Sequence, residues 1–490
     1  MWLGVGDAVA HWGKYKPEKT AISVGGKNVS YIELYRKSTY IATTLIKNGT
    51  KGRIAIAVSD KIDFLACIVA IQSLGLSNMI LSPYTNMQSL KIHLEDTKPE
   101  AIIGTEMLIN KIKQHDNIEI KVFDISKISE DTVDIVIDNT PLLRWENEWG
   151  ILFSSGSTGI PKAIVYDHYA ITSELLAWCL ELGIVRNSKF YIGRPIYYTG
   201  GLVLALATIL VGGEIILIED NIDNDFDAIW EDYLNFLNKY EKIDFAFFIP
   251  DQLRLFIKKT NNILAGPTIL TMGAPITGDE KIKASQKLKS PIIESWGNSE
   301  GLGTITEPED LSIRPNSIGR PFITEKIYIV RDDLSKCKNK EVGRLGGSAE
   351  TMFTEYANRP EATEKIKNNN LVLSDDLGFV DEKGYFYISG RVQESFVVEG
   401  KTVFIQELEK KIRTIPEIVD TCIVAIELDC AVLFYAVIIL KNDLVKDGIK
   451  ETVNKALEIT IKEVIIVDEL PRLTSGKIDR LSAAEIVKKL

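Results

Sequence analysis

The stretch Trp149–Tyr166 reads WGILFSSGSTGIPKAIVY. The apolar run from Trp149 to Phe153 predicts a short buried strand, and the run from Ala163 to Tyr166 predicts its continuation. Between them lie Ser154, Ser155, Gly156, Ser157, Thr158 and Gly159, then Pro161 and Lys162. Glycines let backbone N–H groups approach an anion closely, hydroxyls add donors, and a lysine adds a mobile positive charge. A polyphosphate needs such groups, although the same composition also suits a plain hairpin turn. The pattern is not the Walker loop, in which Gly-Lys-Ser/Thr opens a helix. Here the lysine follows Ile160-Pro161, and a strand comes next.

Bulk properties narrow the field around this loop. A chain of 490 residues exceeds one ordinary core, and length alone suggests about three domains or sub-domains. The formal net charge of −11 argues against a general nucleic-acid surface, which needs a basic face. It leaves room for a local basic pocket. Cys67, Cys179, Cys337, Cys422 and Cys430 are scattered with no C-x-x-C pair, the usage expected of reduced thiols in a cytoplasmic protein. His11, His93, His115 and His168 form no H-E-x-x-H pattern, so no zinc site is expected. The first residues, MWLGVGDAVAHWGKY, lack the basic start and long apolar core of a signal peptide. Gly200–Val211, GGLVLALATILV, is too short to span a membrane and predicts a buried helix.

Along the chain, helical patterns alternate with short apolar runs. Tyr31–Asn48, Asp63–Leu74 and Met87–Thr97 carry helical spacing, and Arg53–Val58, Asn78–Ser82 and Ala101–Gly104 read as strands. After the Ser/Gly loop the alternation resumes with a helix at Tyr169–Leu182 and strands at Lys189–Gly193, Glu214–Ile218, Phe245–Ile249, Ile269–Met272 and Ile292–Ser295. This is the signature of parallel sheets covered by helices. The acidic stretch Glu219–Asp227 reads as an exposed connection and helix start, without EF-hand spacing. From Gly319 to about Gly390 shorter runs and turns predict a β-rich sub-domain, with a hairpin turn at Glu382-Lys383-Gly384. The last hundred residues predict a small α+β unit. The expected fold is therefore α/β: a large N-terminal domain of helix-covered sheets over residues 1–390, and a small mobile C-terminal domain over residues 391–490.

Three further segments suit the ligand that the loop suggests. Ser295-Trp296-Gly297-Asn298-Ser299-Glu300 ends in a carboxylate able to hold magnesium beside phosphates, and Trp296 either stacks on a base or fills the core. Ser374-Asp375-Asp376-Leu377-Gly378, with Gly390-Arg391, offers a carboxylate for ribose hydroxyls and an arginine for a phosphate, or else an ordinary surface turn. Pro471–Arg480, PRLTSGKIDR, places Lys477 in a glycine-lysine loop whose plainer reading is a solvated basic tail.

Taken in this order, the segments resemble the adenylate-forming family of acyl-CoA synthetases, non-ribosomal adenylation domains and firefly-type luciferases. The resemblance runs from Pro17 to Arg480, and Asn358-Arg359-Pro360-Glu361-Ala362-Thr363 adds to it. It implies that Ser154 to Gly159, with Lys162, cover the ATP β- and γ-phosphates. Gly273, Ala274 and Pro275 would line the adenine, with Trp296 at the position of the family's usual tyrosine. Ser299 would contact the α-phosphate, and Glu300 would bind magnesium, with Thr158 as a further ligand. Asp376 would hold the ribose, with Arg391 nearby. Lys477 would bridge the substrate carboxylate and the α-phosphate, and Gln393 would sit at the hinge, where aspartate or lysine is more usual.

The implied activity is ATP-dependent conversion of a small carboxylic acid to an acyl-adenylate, with release of pyrophosphate. Transfer to a thiol would follow, either coenzyme A or the phosphopantetheine of an acyl or peptidyl carrier protein. The alternative is a stand-alone enzyme loading an amino or hydroxy acid onto a carrier protein. Tyr198 replaces the family's gate histidine, in a pocket expected from Tyr197, Tyr198, Gly200, Gly201, Gly297 and Asn298. No aspartate is evident there to pair an α-ammonium, which favours a plain acid; Asp251 is expected to cap a helix. Val397 and Glu399, beside Gly400, and the short Glu427–Cys430 loop depart from the family's thiolation face and leave the acceptor open.

Overall fold

The computed structural model describes residues 4–113, 120–128, 145–153, 162–219, 221–223, 225–239, 242–260, 266–368, 371–398, 401–428, 431–441, 448–457, 459–472 and 478–489. The chain forms two compact units, Met1–Ile327 with Gly347–Val372, and Tyr328–Gly346 with Leu373–Leu490.

The first unit is built on two large sheets. One has nine strands in the order Arg320–Pro321, Gly303–Ile305, Ile292–Gly297, Thr268–Met272, Phe245–Phe248, Lys189–Ile192, Glu214–Leu217, Thr20–Val24 and Lys27–Ser30. The run from Ile292–Gly297 through Thr20–Val24 is parallel throughout. Its strands are mostly apolar, as helices packed on the sheet require. Tyr191, Ile216, Phe248 and Ile269 are inaccessible within the core that helices Phe226–Lys239, Pro250–Lys259 and Gly278–Leu288 close. Helix Thr199–Leu210 is buried at every position from Gly201 onward, as its unbroken apolar run requires.

The other sheet has seven strands in the order Glu355–Tyr356, Ala163–Asp167, Glu148–Phe153, Ser77–Ile80, Arg53–Ala57, Ala101–Gly104 and Lys121–Asp124. The last five are parallel. Ala163–Asp167, however, does not continue Glu148–Phe153. It returns antiparallel to it, with Phe153 opposite Ala163, and Glu355–Tyr356 adds a further antiparallel strand. Apolar runs identify strands, while the direction of pairing is decided by tertiary context.

The β-rich sub-domain is present as a five-stranded sheet that includes the antiparallel hairpin Leu371–Val380 and Phe386–Arg391. Gly384, at φ +82°, turns that hairpin. The second unit holds a three-stranded sheet, Ile418–Leu428, Ala431–Leu440 and Ile461–Ile466, packed on helices Ile405–Arg413 and Ile449–Ala456 around Ile412, Ala436, Ile438 and Val453. Among the described residues no helix is long and apolar enough to cross a membrane.

Candidate active site

Strands Lys189–Ile192, Phe245–Phe248, Thr268–Met272 and Ile292–Gly297 are neighbours running in one direction, so their carboxyl ends open on a single edge. In open α/β sheets that edge is where ligands bind. Each strand delivers a segment to it: Tyr197–Gly201 beyond the first, Pro250-Asp251 beyond the second, Gly273–Pro275 beyond the third, and Trp296–Glu300 at the end of the fourth. Met272 lies in register with Ser295, so Gly273 and Trp296 leave adjacent strands side by side. Gly273 has φ +94°, and no atom lies within 4 Å of where a side chain would begin. Its backbone therefore faces open space. Arg254 Nη2 donates to the Pro275 carbonyl at 2.8 Å, which ties this segment to helix Pro250–Lys259.

The turn after Ile292–Gly297 is closed from several sides. Asn298 and Leu302 exchange hydrogen bonds, Asn298 N to Leu302 O at 2.9 Å and Leu302 N to Asn298 Oδ1 at 2.9 Å. Gly301 has φ +101°, and a Cβ there would lie 2.2 Å from the Thr351 carbonyl oxygen, so the turn admits only glycine. Thr351 Oγ1 donates to Gly301 O at 2.7 Å, and Phe353 N donates to Glu300 O at 3.2 Å. The Tyr356 hydroxyl donates to the Glu300 carboxylate, and the Tyr166 hydroxyl donates to the Ser299 carbonyl. Burial holds the Tyr166 phenol well above its ordinary pKa, so it remains a donor. The Lys162 ammonium lies over the Tyr356 ring, 4.9 Å from its centre.

Sequence reasoning missed both tyrosines. The signal was period-two spacing: Ile164 pairs with Tyr356, so Ile164, Tyr166 and Tyr356 share one face.

These features fit a magnesium-bound nucleotide. Glu300 supplies a hard oxygen donor of the kind magnesium takes. Among the described residues the Asn298 amide nitrogen is buried with no hydrogen-bond partner, a donor suited to a ligand's oxygen.

The other side of the edge is lined by aromatics. Tyr198 precedes helix Thr199–Leu210, and the Arg194 guanidinium lies 5.4 Å from its ring centre. Tyr197 donates to Asp223 Oδ2 at 2.9 Å, and Asp223 is ion-paired to Lys61 at 2.9 Å. Asp223 is thus buried within the stretch expected to be an exposed connection. Gly200 packs against Met272, where a Cβ would meet Cε at 3.0 Å. Asp251 is not a helix cap. Ile249 occupies that position, and Asp251 pairs with Arg254 at 2.5 Å, which also pairs with Glu280 at 2.7 Å.

In the second unit, Asp376 lies opposite Arg391 across the Leu371–Val380 hairpin and accepts from Arg391 Nε at 3.1 Å. The two residues expected at ribose and phosphate are therefore partners. Gln393 Nε2 donates to Asp375 Oδ2 at 3.2 Å. Arg480 is clamped by Glu409 at 2.6 Å and Glu394 at 2.8 Å. Ser154, Ser155, Gly156, Ser157, Thr158, Gly159, Glu399, Gly400 and Lys477 lie outside the described residues.

Comparison with known proteins agrees with the fold. The chain is 23% identical over 491 residues to the 2-succinylbenzoate–CoA ligase of Oceanobacillus iheyensis, covering 97% of this chain and 98% of that one. It is 24% identical over 490 residues to bacitracin synthase 1 of Bacillus licheniformis, covering 95% of this chain but 9% of the synthase. The fold superposes with a TM-score of 0.87 on o-succinylbenzoate CoA synthetase from Bacillus subtilis in complex with its acyl-adenylate intermediate, at 19% identity and with 97% of each chain covered. A model of the AMP-binding enzyme family matches residues 9–357, and the chain belongs to that family.

Proposed function

We propose that this protein uses ATP to convert a carboxylic acid to an acyl-adenylate, releasing pyrophosphate, and then passes the acyl group to the thiol of coenzyme A. The observation that carries the reading is the convergence of Tyr197–Gly201, Gly273–Pro275 and Trp296–Glu300 on one sheet edge, with Lys162 and Glu300 joined through Tyr356. Relatives named as acid–CoA ligases support coenzyme A as the acceptor.

The chemistry must bring a carboxylate onto the ATP α-phosphorus, against the repulsion of two anions. Fixed positive charge and aligned N–H dipoles offset that repulsion most as charge moves in the transition state. Lys477 takes the position between carboxylate and α-phosphate. Ser299 meets the α-phosphate, the Ser154–Gly159 loop with Lys162 takes the departing pyrophosphate, and Glu300 with Thr158 holds magnesium. Magnesium, when bound, neutralises phosphate charge. Gly273–Pro275 and Trp296 take the base, and Asp376 with Arg391 takes the ribose and its phosphate. Residues 391–490 act as a small domain that carries Lys477 and turns about Gln393.

The acid carries no α-ammonium. Asp223 is already paired with Lys61 and Asp251 with Arg254, so neither carboxylate is left to pair an ammonium beside Tyr198, and an ammonium buried without a partner is costly. Scattered free cysteines support a cytoplasmic setting.

ATP–pyrophosphate exchange over a panel of aromatic, aliphatic and α-amino acids tests the first step, and thioester formation with coenzyme A or a phosphopantetheinylated carrier tests the second. Plain acids are expected to exchange and to form the CoA thioester. Exchange with α-amino acids alone, or transfer only to a carrier, overturns the assignment in favour of a carrier-loading enzyme.

A further inference from the structure

Tyr356 meets two charged groups of the site. Its hydroxyl donates to the Glu300 carboxylate, and its ring face carries the Lys162 ammonium at 4.9 Å. The arrangement is built into the sheet. Glu355–Tyr356 pairs antiparallel with Ala163–Asp167, which sets Tyr356 opposite Ile164. Lys162 lies two residues before Ile164 and Tyr166 two residues after, so alternation brings all three to the Tyr356 side. Tyr166 then fixes the Ser299 carbonyl one residue before Glu300. Phe353 packs its ring on Tyr356 at 4.8 Å and donates its N–H to Glu300 O at 3.2 Å, closing the same segment from behind. Tyr356 is itself buried, at 1% exposure, so its two handles are held rather than sampled.

Resting on the functional reading above, we infer that Tyr356 is a positioning residue that acts through its two neighbours. Its hydroxyl orients the Glu300 carboxylate toward magnesium, and its ring locates Lys162 for the phosphates. One hydroxyl occupies one of the carboxylate's oxygens and leaves the remaining lone pairs for a cation. The ring holds a cation by its quadrupole without consuming a hydrogen-bond donor of the ammonium.

The two handles separate by mutation. Tyr356→Phe keeps the ring and removes only the hydroxyl, whereas Tyr356→Leu removes both. The measurement is the calorimetric affinity of the full-length protein for the α,β-methylene analogue of ATP, once with excess magnesium and once in EDTA. Wild-type protein should bind the analogue more tightly with magnesium. Tyr356→Phe should weaken magnesium-supported binding roughly tenfold, the worth of a hydrogen bond to a charged group, and leave binding in EDTA unchanged. Tyr356→Leu should weaken both. Equal affinity of Tyr356→Phe and wild type with magnesium overturns the inference, and so does a loss of the same size with and without magnesium, which marks a merely structural residue. Wild-type protein that binds no nucleotide overturns the functional reading itself. Should Tyr356→Leu fail to fold, the near-isosteric Phe variant still decides the hydroxyl's role.

Discussion

Lys61 and Asp223 are each almost wholly withdrawn from water, at 2% and 7% exposure. Lys61 also donates to the Glu219 carbonyl at 3.0 Å, and Asp223 accepts from Tyr197. Removing one member of a buried pair strands the other charge, which costs about 3–5 kcal/mol. Lys61→Met is therefore expected to lower urea-unfolding stability by about that amount, and Lys61→Met with Asp223→Asn should recover much of the loss. Lys477→Ala tests a different kind of residue. It should abolish ATP–pyrophosphate exchange with no change in melting temperature, while thioester formation from supplied acyl-adenylate persists; equal loss in both steps would contradict a role confined to adenylation. Glu300 and Trp296 could be named together from the sequence because they share one contiguous segment, which the structure carries at the end of strand Ile292–Gly297. Asp223 was not legible, since its partner Lys61 lies far away in sequence and the local composition, EDNIDNDFD, reads as solvated.

At the scale of elements, the turn that presents Glu300 depends on Gly301. Gly301→Ala would place a methyl 2.2 Å from the Thr351 carbonyl in a left-handed conformation. Exchange activity should fall by more than tenfold, roughly the effect of displacing a catalytic group by an ångström, with circular dichroism unchanged. In the second unit, Arg480 begins helix Arg480–Lys488 and is held by Glu409 and Glu394. Arg480→Met should cost about 3 kcal/mol in the stability of that unit, read as earlier hydrogen exchange in strands Ile418–Leu428 and Ala431–Leu440. Most elements were legible from periodicity alone: the helix at Met87–Thr97 and the strand at Ala101–Gly104 fall where the pattern placed them. The reversal of Ala163–Asp167 was not. Side-chain alternation is identical in parallel and antiparallel strands, so no pattern within the strand reports its direction.

Across the whole molecule, buried titratable groups set opposing responses to pH. Burial holds His93 and His168 down at about 4 from an ordinary 6.5, so each is neutral when folded. The unfolded chain takes up these protons as pH falls through 6.5, and the folded chain only near 4. Their contribution is thus complete above 6.5 and is lost through that window at about 1.4 kcal/mol per pH unit for each histidine. Burial pushes the Glu325 carboxyl up to about 9 from 4.5. The unfolded chain ionises first there, so stability is lost as pH rises from 4.5 toward 9. A urea midpoint followed from pH 4 to 9 should therefore pass through a maximum. His93→Leu with His168→Leu should flatten the acid limb, and Glu325→Gln the alkaline one.

The antiparallel strand Ala163–Asp167 carries a last consequence, for how such a chain can change over generations. Lys162 and Tyr166 serve the same face because an even number of positions separates them. Gain or loss of a single codon between them would turn one of the two away while leaving the strand intact. Insertions and deletions in descendants of this gene should thus be purged between Lys162 and Tyr166: a reading frame for structure, counted in twos.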